Sequence, residues 1–361
     1  MRVALVTYST KPRGGVVHTL NLAEALAAMG LEVTVWSLAR QGDRGFFREV
    51  DPAVNVRLVE FPDGEGETVT DRIVRSIDSL RRSFTPDDYD IVHAQDCISA
   101  NAVGSCIRTI HHLDQFTTPI LAECHEKAVV EPYARICVSA AVAAEVTAGW
   151  GLSPTVIPNG VRADRFIEAA SPAAAPYRAR WRDQLGEYVL AVGGIEPRKG
   201  SLDLVRAYSI FRQQVPAVSL VIAGGETLFD YREYRTDFEL LCAELNVAPM
   251  ILGAVDDHEL PALVAACDVF AFPSTKEGFG LAAMEALAAG RPVVTRDLPV
   301  LHEVFGDTVQ YASDPCGLAD AMAAAYGDSS RAATGRALAV SMTWESAARA
   351  HVDFYAAHRR P

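Results

Sequence analysis

Two doubly wound parallel α/β domains are the architecture that this 361-residue sequence predicts, and three observations predict it. Short apolar runs of strand character alternate with helical patterns almost throughout, which is the pattern of βαβ units. The series runs through the first half and begins again at Tyr188. Between the two lies "SPAAAPYRARW" at residues 171–181, rich in Pro and Ala, which reads as a connection between domains. Half of the residues are hydrophobic and 22% are charged, a composition with core enough for two soluble domains.

In the first half the expected strands are Val3–Tyr8, Glu32–Leu38, Val54–Glu60, Asp90–His93, Cys106–Ile110, Ala134–Val138 and Thr155–Ile157. Helices are expected between them, among them His18–Met29, Asp71–Phe84 and Ala140–Trp150. The second series has strands at Tyr188–Val192, Ser219–Ala223, Met250–Leu252, Val269–Phe272 and Pro292–Thr295. Ligands of such sheets bind outside the carboxyl ends of the strands. Two such domains facing a deep cleft would gather their informative residues on those loops.

Charge and cysteine usage narrow the function. A formal net charge of -13 leaves no basic surplus to displace counterions, which excludes a general nucleic-acid binder. The seven cysteines are scattered without a CxxC pair and read as reduced thiols of a cytoplasmic protein. The opening "MRVALVTYST" is too short an apolar run for a signal peptide and reads as a strand. Uncharged Val146–Val161 is broken by Gly and Pro and does not span a bilayer. In "DRIVRSIDSLRRSF", Ile73, Ile77, Leu80 and Phe84 share one face, with Arg72, Arg75, Arg81 and Arg82 around it. Such a helix ordinarily covers a sheet, and at most it makes weak contact with anionic lipid.

Four loops carry candidate chemistry. In "KPRGGVVHTL", Gly14 and Gly15 precede a helix, where backbone N–H groups can meet an anion. This is no G-x-G-x-x-G fingerprint. In "VGGIEPRKGSLDLV", Arg198 and Lys199 stand just before a helix opened by Gly200 and Ser201. Two cations at the positive end of a helix dipole call for something negative between them, and a diphosphate would serve both. In "RTIHHLD", His111 and His112 follow a strand, and His93 ends the one before. With Asp96 they do not have the spacing of a recognised metal-ligand set. In "EGFGLAAMEALAAG", Glu277 sits in a loop and Glu285 on or beside the buried stripe Leu281, Met284, Ala288 of a helix beginning near Leu281. Placed in that helix's first turn, Glu285 is either a capping charge favoured by the dipole or a ligand group. Asp88-Tyr89-Asp90 imitates a metal-chelating DxD, but it lies at the start of a strand and reads as a turn.

Taken together, the motifs resemble those of retaining glycosyltransferase family 4, the group-1 type with the GT-B fold of two Rossmann-like domains. The resemblance covers almost the whole chain: "GGVVH", "TIHHLD" in the position of Thr-x-His-Asp, "VSAAV", "IPNGVRADRF", "VGGIEPRKGSLDLVRAY", "LVIAGG", "LGAVDDHEL" and "FPSTKEGFGLAAMEALAAGRPVV". It implies that Glu277 contacts the transferred sugar and Glu285 the nucleotide ribose. The backbone of Phe279, Gly280 and Leu281 would reach the sugar and phosphates. Arg198 and Lys199 would hold the donor diphosphate, His111 would lie beside the reacting sugar, Gly15 would contact a phosphate, and the loop at Ala254–Val255 would meet the base. The implied domains are 1–170 on the acceptor side, 171–340 for the nucleotide sugar, and 341–361 as a helix crossing back.

The implied reaction moves a hexose from a nucleotide sugar, UDP-linked, to a hydroxyl acceptor with retention. It needs no metal and no cofactor, because protein cations neutralise the leaving group and the nucleotide sugar is a co-substrate. A GT-B sugar-nucleotide epimerase, or a non-catalytic nucleotide-sugar-binding protein, is the alternative. The acceptor, small molecule, glycan or glycolipid, would meet N-terminal loops such as Gly42–Phe47 and Pro62–Thr68. Two departures stand out. Gly194 replaces the usual arginine, which shifts diphosphate charge onto Arg198 and Lys199. His112 replaces the aspartate after the site histidine, leaving Asp114 or a backbone carbonyl to orient His111.

Overall fold

The computed structural model describes residues 1–359 apart from 41, 63, 65, 115, 117 and 225–230. Two residues of the loop Pro62–Thr68 and the last glycine of "LVIAGG" therefore lie outside the described residues. The chain forms two compact units, Met1–Gly160 with Thr343–Pro361, and Val161–Met342.

The first unit is built on strands β1 (Arg2–Val6), β2 (Glu32–Arg40), β3 (Asn55–Phe61), β4 (Ile91–Ala94), β5 (Ile107–Ile110), β6 (Ala134–Cys137) and β7 (Thr155–Val156). They pair in the order β3-β2-β1-β4-β5-β6-β7, all in parallel. Val3, Ala4, Leu5 and Val6 are fully buried, as expected of strands covered on both faces by crossover helices. In the helix Val69–Ser83, Ile73, Ile77 and Leu80 are buried. On this helix Arg75 grips Glu67 at 2.6 Å and Arg81 grips Asp78 at 2.8 Å. This helix covers its sheet. Among the described residues, no helix is long and apolar enough to cross a membrane.

The second unit repeats the plan with β8 (Tyr188–Val192), β9 (Ser219–Ala223), β10 (Met250–Gly253), β11 (Val269–Phe272), β12 (Val293–Arg296) and β13 (Gln310–Ala312). Their order is β10-β9-β8-β11-β12-β13. Val189, Val205, Phe211, Leu220, Phe238, Val269, Val294 and Met322 belong to its core. In each sheet the strand order reverses beside the first strand, between β1 and β4 and between β8 and β11. Those are the switch points where loops part and leave room for a ligand.

Three expectations need correction. Residues 161–170 do not belong to the first domain: they form the helix Ala163–Ala170, with Phe166 buried, packed against Leu260–Ala266 and Leu281–Ala288 of the second unit. "SPAAAPYRARW" is not a linker. It makes a 3-10 turn at Pro172–Ala174 and runs into the helix Ala175–Leu185. Pro172 and Pro176 fall in first turns, where a missing N–H costs nothing. Strand β13 was not expected, because three residues, two of them half-buried, carry too little pattern to stand out.

The chain leaves the first unit after Gly160 and re-enters it at Thr343, leading into the helix Trp344–Ala357. That helix buries Trp344, Ala347, Ala348, His351, Phe354 and Tyr355. Gly160 packs on its start so closely that a Cβ would lie 2.3 Å from Trp344 N and 2.6 Å from Thr343 C. Backbone cannot yield as a side-chain tip can. Gly160→Ala should therefore lose about 2–3 kcal/mol, read as a lower denaturant midpoint, whereas wild-type stability in that variant would show the close approach to be dispensable.

Candidate active site

In the second unit, the loops after β8 and β11 flank the switch point, and their side chains meet. Glu277 Oε1 accepts from Lys199 Nζ at 2.6 Å and from Arg198 Nη1 at 3.1 Å. Arg198 Nη2 also donates to Glu196 Oε1 at 3.1 Å. Backbone locks the two loops together, since Thr275 N–H donates to Arg198 O at 2.8 Å. The Lys199 stem lies over Gly193, where a Cβ would come within 3.2 Å of it, and its ammonium sits 5.1 Å from the centre of the Phe272 ring. The negative group between the two cations is thus the protein's own Glu277. Burial alone would raise that carboxyl's pKa, but Lys199 and Arg198 outweigh it and hold the group at about 2. The same burial lowers the pKa of Lys199 against the opposing pull of Glu277.

Glycine shapes both helix starts here. Gly280 takes φ 95° as the N-cap of the helix Leu281–Ala288, and a Cβ there would lie 2.8 Å from Phe305. Gly200, at φ 66°, caps Ser201–Gln214 and would clash with Pro273 O at 2.3 Å. Phe279 is buried, so its side chain anchors the loop while its backbone follows Glu277 towards the helix start.

Glu285 does not lie in a first turn. With the helix beginning at Leu281 it is the fifth residue, too far along for the dipole to favour it as a capping charge. It is half-buried, and burial pushes its carboxyl up to about 7 against the pull of Arg165 and Arg162. Arg165 itself grips Asp257, at 2.7 Å from Nη2 to Oδ2. Val255, half-buried in the loop after β10, is two residues from that pair. Neither Arg165 nor Asp257 stood out in the sequence, although both lie within quoted motifs.

In the first unit, Gly15 and His111 come together: a Cβ on Gly15 would lie 3.5 Å from His111 Cδ2. Asp114 pairs with His112 at 3.3 Å. The group beside His111 is His18, ring to ring at 4.7 Å in an edge contact, with His18 Nδ1 bonded to Asn159 Oδ1 at 2.8 Å. His93 is a core histidine, bonded to Tyr355 at 2.8 Å and Thr109 at 2.7 Å. His351 completes the group, its Nδ1 bonded to Ala347 O at 2.8 Å and its Nε2 without a hydrogen-bond partner among the described residues. Asp90, from the DxD look-alike, binds the amino-terminal end of β1 through Arg2. Among the described residues, no cluster of His, Cys, Asp or Glu is arranged to hold a metal ion.

Burial lowers the pKa of all four histidines, His18 to about 3 and His351 to about 4. The unfolded chain takes up these protons near pH 6.5 and the folded chain only at lower pH, so stability falls as the pH drops through that interval. His351→Leu should flatten the decline by about 1.4 kcal/mol per pH unit between roughly pH 6 and 4.5, measured by urea unfolding. An unchanged slope would show that His351 takes up its proton at the same pH in the folded and unfolded states.

Residues 12–165 match the family described as Glycosyltransferase Family 4, and residues 179–331 match Glycosyl transferases group 1. The D-inositol 3-phosphate glycosyltransferase of Salinispora tropica is 30% identical, over 85% of this chain and 73% of that protein. The phosphatidyl-myo-inositol mannosyltransferase of Mycobacterium leprae is 28% identical, over 90% of this chain and 87% of that one. Among solved structures, Anabaena Alr3699/HepE in complex with UDP and glucose has the same fold, with a TM-score of 0.74 at 19% identity, covering 99% of this chain and 100% of that one.

Proposed function

The chain belongs to the group 1 glycosyltransferases, and from that premise we propose that it moves a hexose from a UDP-sugar to a hydroxyl acceptor, with retention and without a metal ion. The observation that carries this reading is the Lys199–Glu277–Arg198 cluster at the β8/β11 switch point. Two cations held ready there suit a diphosphate, and Glu277 keeps both side chains in place before a phosphate arrives, so little rotamer entropy is lost on binding.

On this reading the bond between the anomeric carbon and the phosphate oxygen breaks, and its electron pair leaves with the diphosphate. The sugar becomes oxocarbenium-like, as in other glycosyl transfers. Lys199, Arg198 and the backbone of Phe279, Gly280 and Leu281 at the helix start stabilise the negative charge as it develops. The acceptor oxygen bonds to the same face of that carbon, and its proton passes to the departing phosphate. Glu277 contacts the transferred sugar, Glu285 accepts from the ribose hydroxyls and Val255 lies at the base. His111 serves the reacting sugar and Gly15 a phosphate. Gly194 supplies no third cation, which raises the share carried by Arg198 and Lys199.

One relative's name carries D-inositol 3-phosphate and another's phosphatidyl-myo-inositol, so an inositol ring is the acceptor to test first. UDP-, GDP- and ADP-sugars are screened by thermal shift, and transfer is then followed with inositol phosphate. Conversion of the donor with no acceptor present would favour the epimerase instead.

Lys199→Ala should lose roughly 2–4 kcal/mol of transition-state stabilisation, as expected for a preorganised charge contact, and should bind UDP more weakly. Full activity in that variant would sink the diphosphate assignment. Glu285→Gln should raise the donor KM and leave kcat nearly intact, the mark of binding shared by ground and transition states; an equal fall in kcat would move Glu285 into the chemistry. Added EDTA should change nothing, and a strict requirement for added divalent metal would overturn the mechanism.

A further inference from the structure

We propose that Arg165 and Asp257 form a positioning pair for the nucleotide end of the donor site, tying the Val255–Asp257 loop to the helix that packs on the one carrying Glu285, and acting on the Glu285 carboxyl in opposite senses. This rests on the reading that Glu285 holds the ribose. Arg165 sits on the helix Ala163–Ala170, which packs against Leu281–Ala288. Its guanidinium reaches Asp257 three times: Nη2 lies 2.7 Å from Oδ2, Nη1 donates to Oδ1 at 3.2 Å and Nη2 donates to the main-chain oxygen at 2.5 Å. Both side chains are only 21% exposed. An arginine bound to side chain and main chain together holds the backbone of residue 257, and with it Val255 two positions earlier.

Burial acts most strongly on the Glu285 carboxyl, and the same pair supplies the two foremost charges. Arg165 is the foremost charge favouring the ionised carboxyl and Arg162 the second, while Asp257 opposes them. The other elements packed on this helix bring little else. From Ala332–Ser341, Arg336 donates to Ala288 O. Leu260–Ala266 and β11 contain no charged residue. Arg296, which ends β12, is engaged with Asp203. Since Glu285 titrates near neutrality, at about 7, a change in one neighbouring charge alters how much carboxylate is present at physiological pH. A carboxylate accepts from two ribose hydroxyls, whereas a protonated carboxyl has given up part of that capacity.

The two partners should therefore move Glu285 in opposite directions. Arg165→Gln removes a cation and leaves the Asp257 charge, so the Glu285 midpoint should rise by about one pH unit. Asp257→Asn removes the anion and leaves the cation, so the midpoint should fall by a similar amount, with the double variant in between. Carboxyl ¹³C NMR of the glutamate-labelled full chain reads this directly, with the Glu285 signal assigned from Glu285→Gln. Whichever of UDP, GDP and ADP binds most tightly is then titrated calorimetrically from pH 6 to 8.5. At pH 7 its affinity should be several-fold weaker in Arg165→Gln, with donor KM raised and kcat unchanged. Shifts of the same sign in the two variants, or no shift in either, would overturn the proposal. Opposite shifts that nucleotide affinity does not follow would uphold the coupling and overturn the ribose reading. Because Asp257→Asn changes a single atom, it carries the test even where Arg165→Gln folds poorly.

Discussion

Parallel strand pairing is the constraint on which everything else in each unit depends. Every strand of a parallel sheet runs the same way, so every crossover helix starts from the same edge. The loops that lead into those helices are therefore neighbours, however far apart they lie in the chain. In the second unit β8 pairs directly with β11, and the loops that follow them bring Lys199 within 2.6 Å of Glu277 across 78 positions of sequence. In the first unit β4 runs between β1 and β5, and the segments beyond β1 and β5 bring Gly15 against His111.

Charge in the second unit is arranged around the same geometry. A carboxylate shared by an ammonium and a guanidinium is a stable solution to placing two cations at a helix start, and it needs no bound anion. Glu277 keeps a low pKa because both cations face it. Glu285, on the helix that follows, has only partly compensating neighbours and titrates near neutrality. Two carboxylates in one motif thus occupy opposite electrostatic states, as expected where environment rather than residue type assigns the role.

The first unit has a different economy. Its His111 stands against a buried group, His18, His93 and His351, that is kept neutral by burial and joined to the helix Trp344–Ala357. These side chains belong to the core. The cost is sensitivity to acid, because each must stay unprotonated for the fold to persist.

Local pattern was enough to determine the alternation of strands and helices, since a covered strand and an amphipathic helix have different periods and both were strong here. Tyr188–Val192, Ser219–Ala223 and Val269–Phe272 were legible to the residue, and so were the glycine and charged loops at strand ends. Strand order was not legible, because it is decided by how crossovers pack and not by any single segment. From that packing follow the sharing of Glu277 and the Arg165–Asp257 grip. Glu285 was placed correctly on its helix and wrongly in its first turn, although the helix begins at Leu281 as expected and Glu285 is its fifth residue. Residues 171–181 looked like a linker because prolines and alanines are read first as breaks. Only the packing of Ala175–Leu185 against Leu260–Ala266 made them a helix of the second unit, and packing between distant segments is what a sequence read in order does not contain.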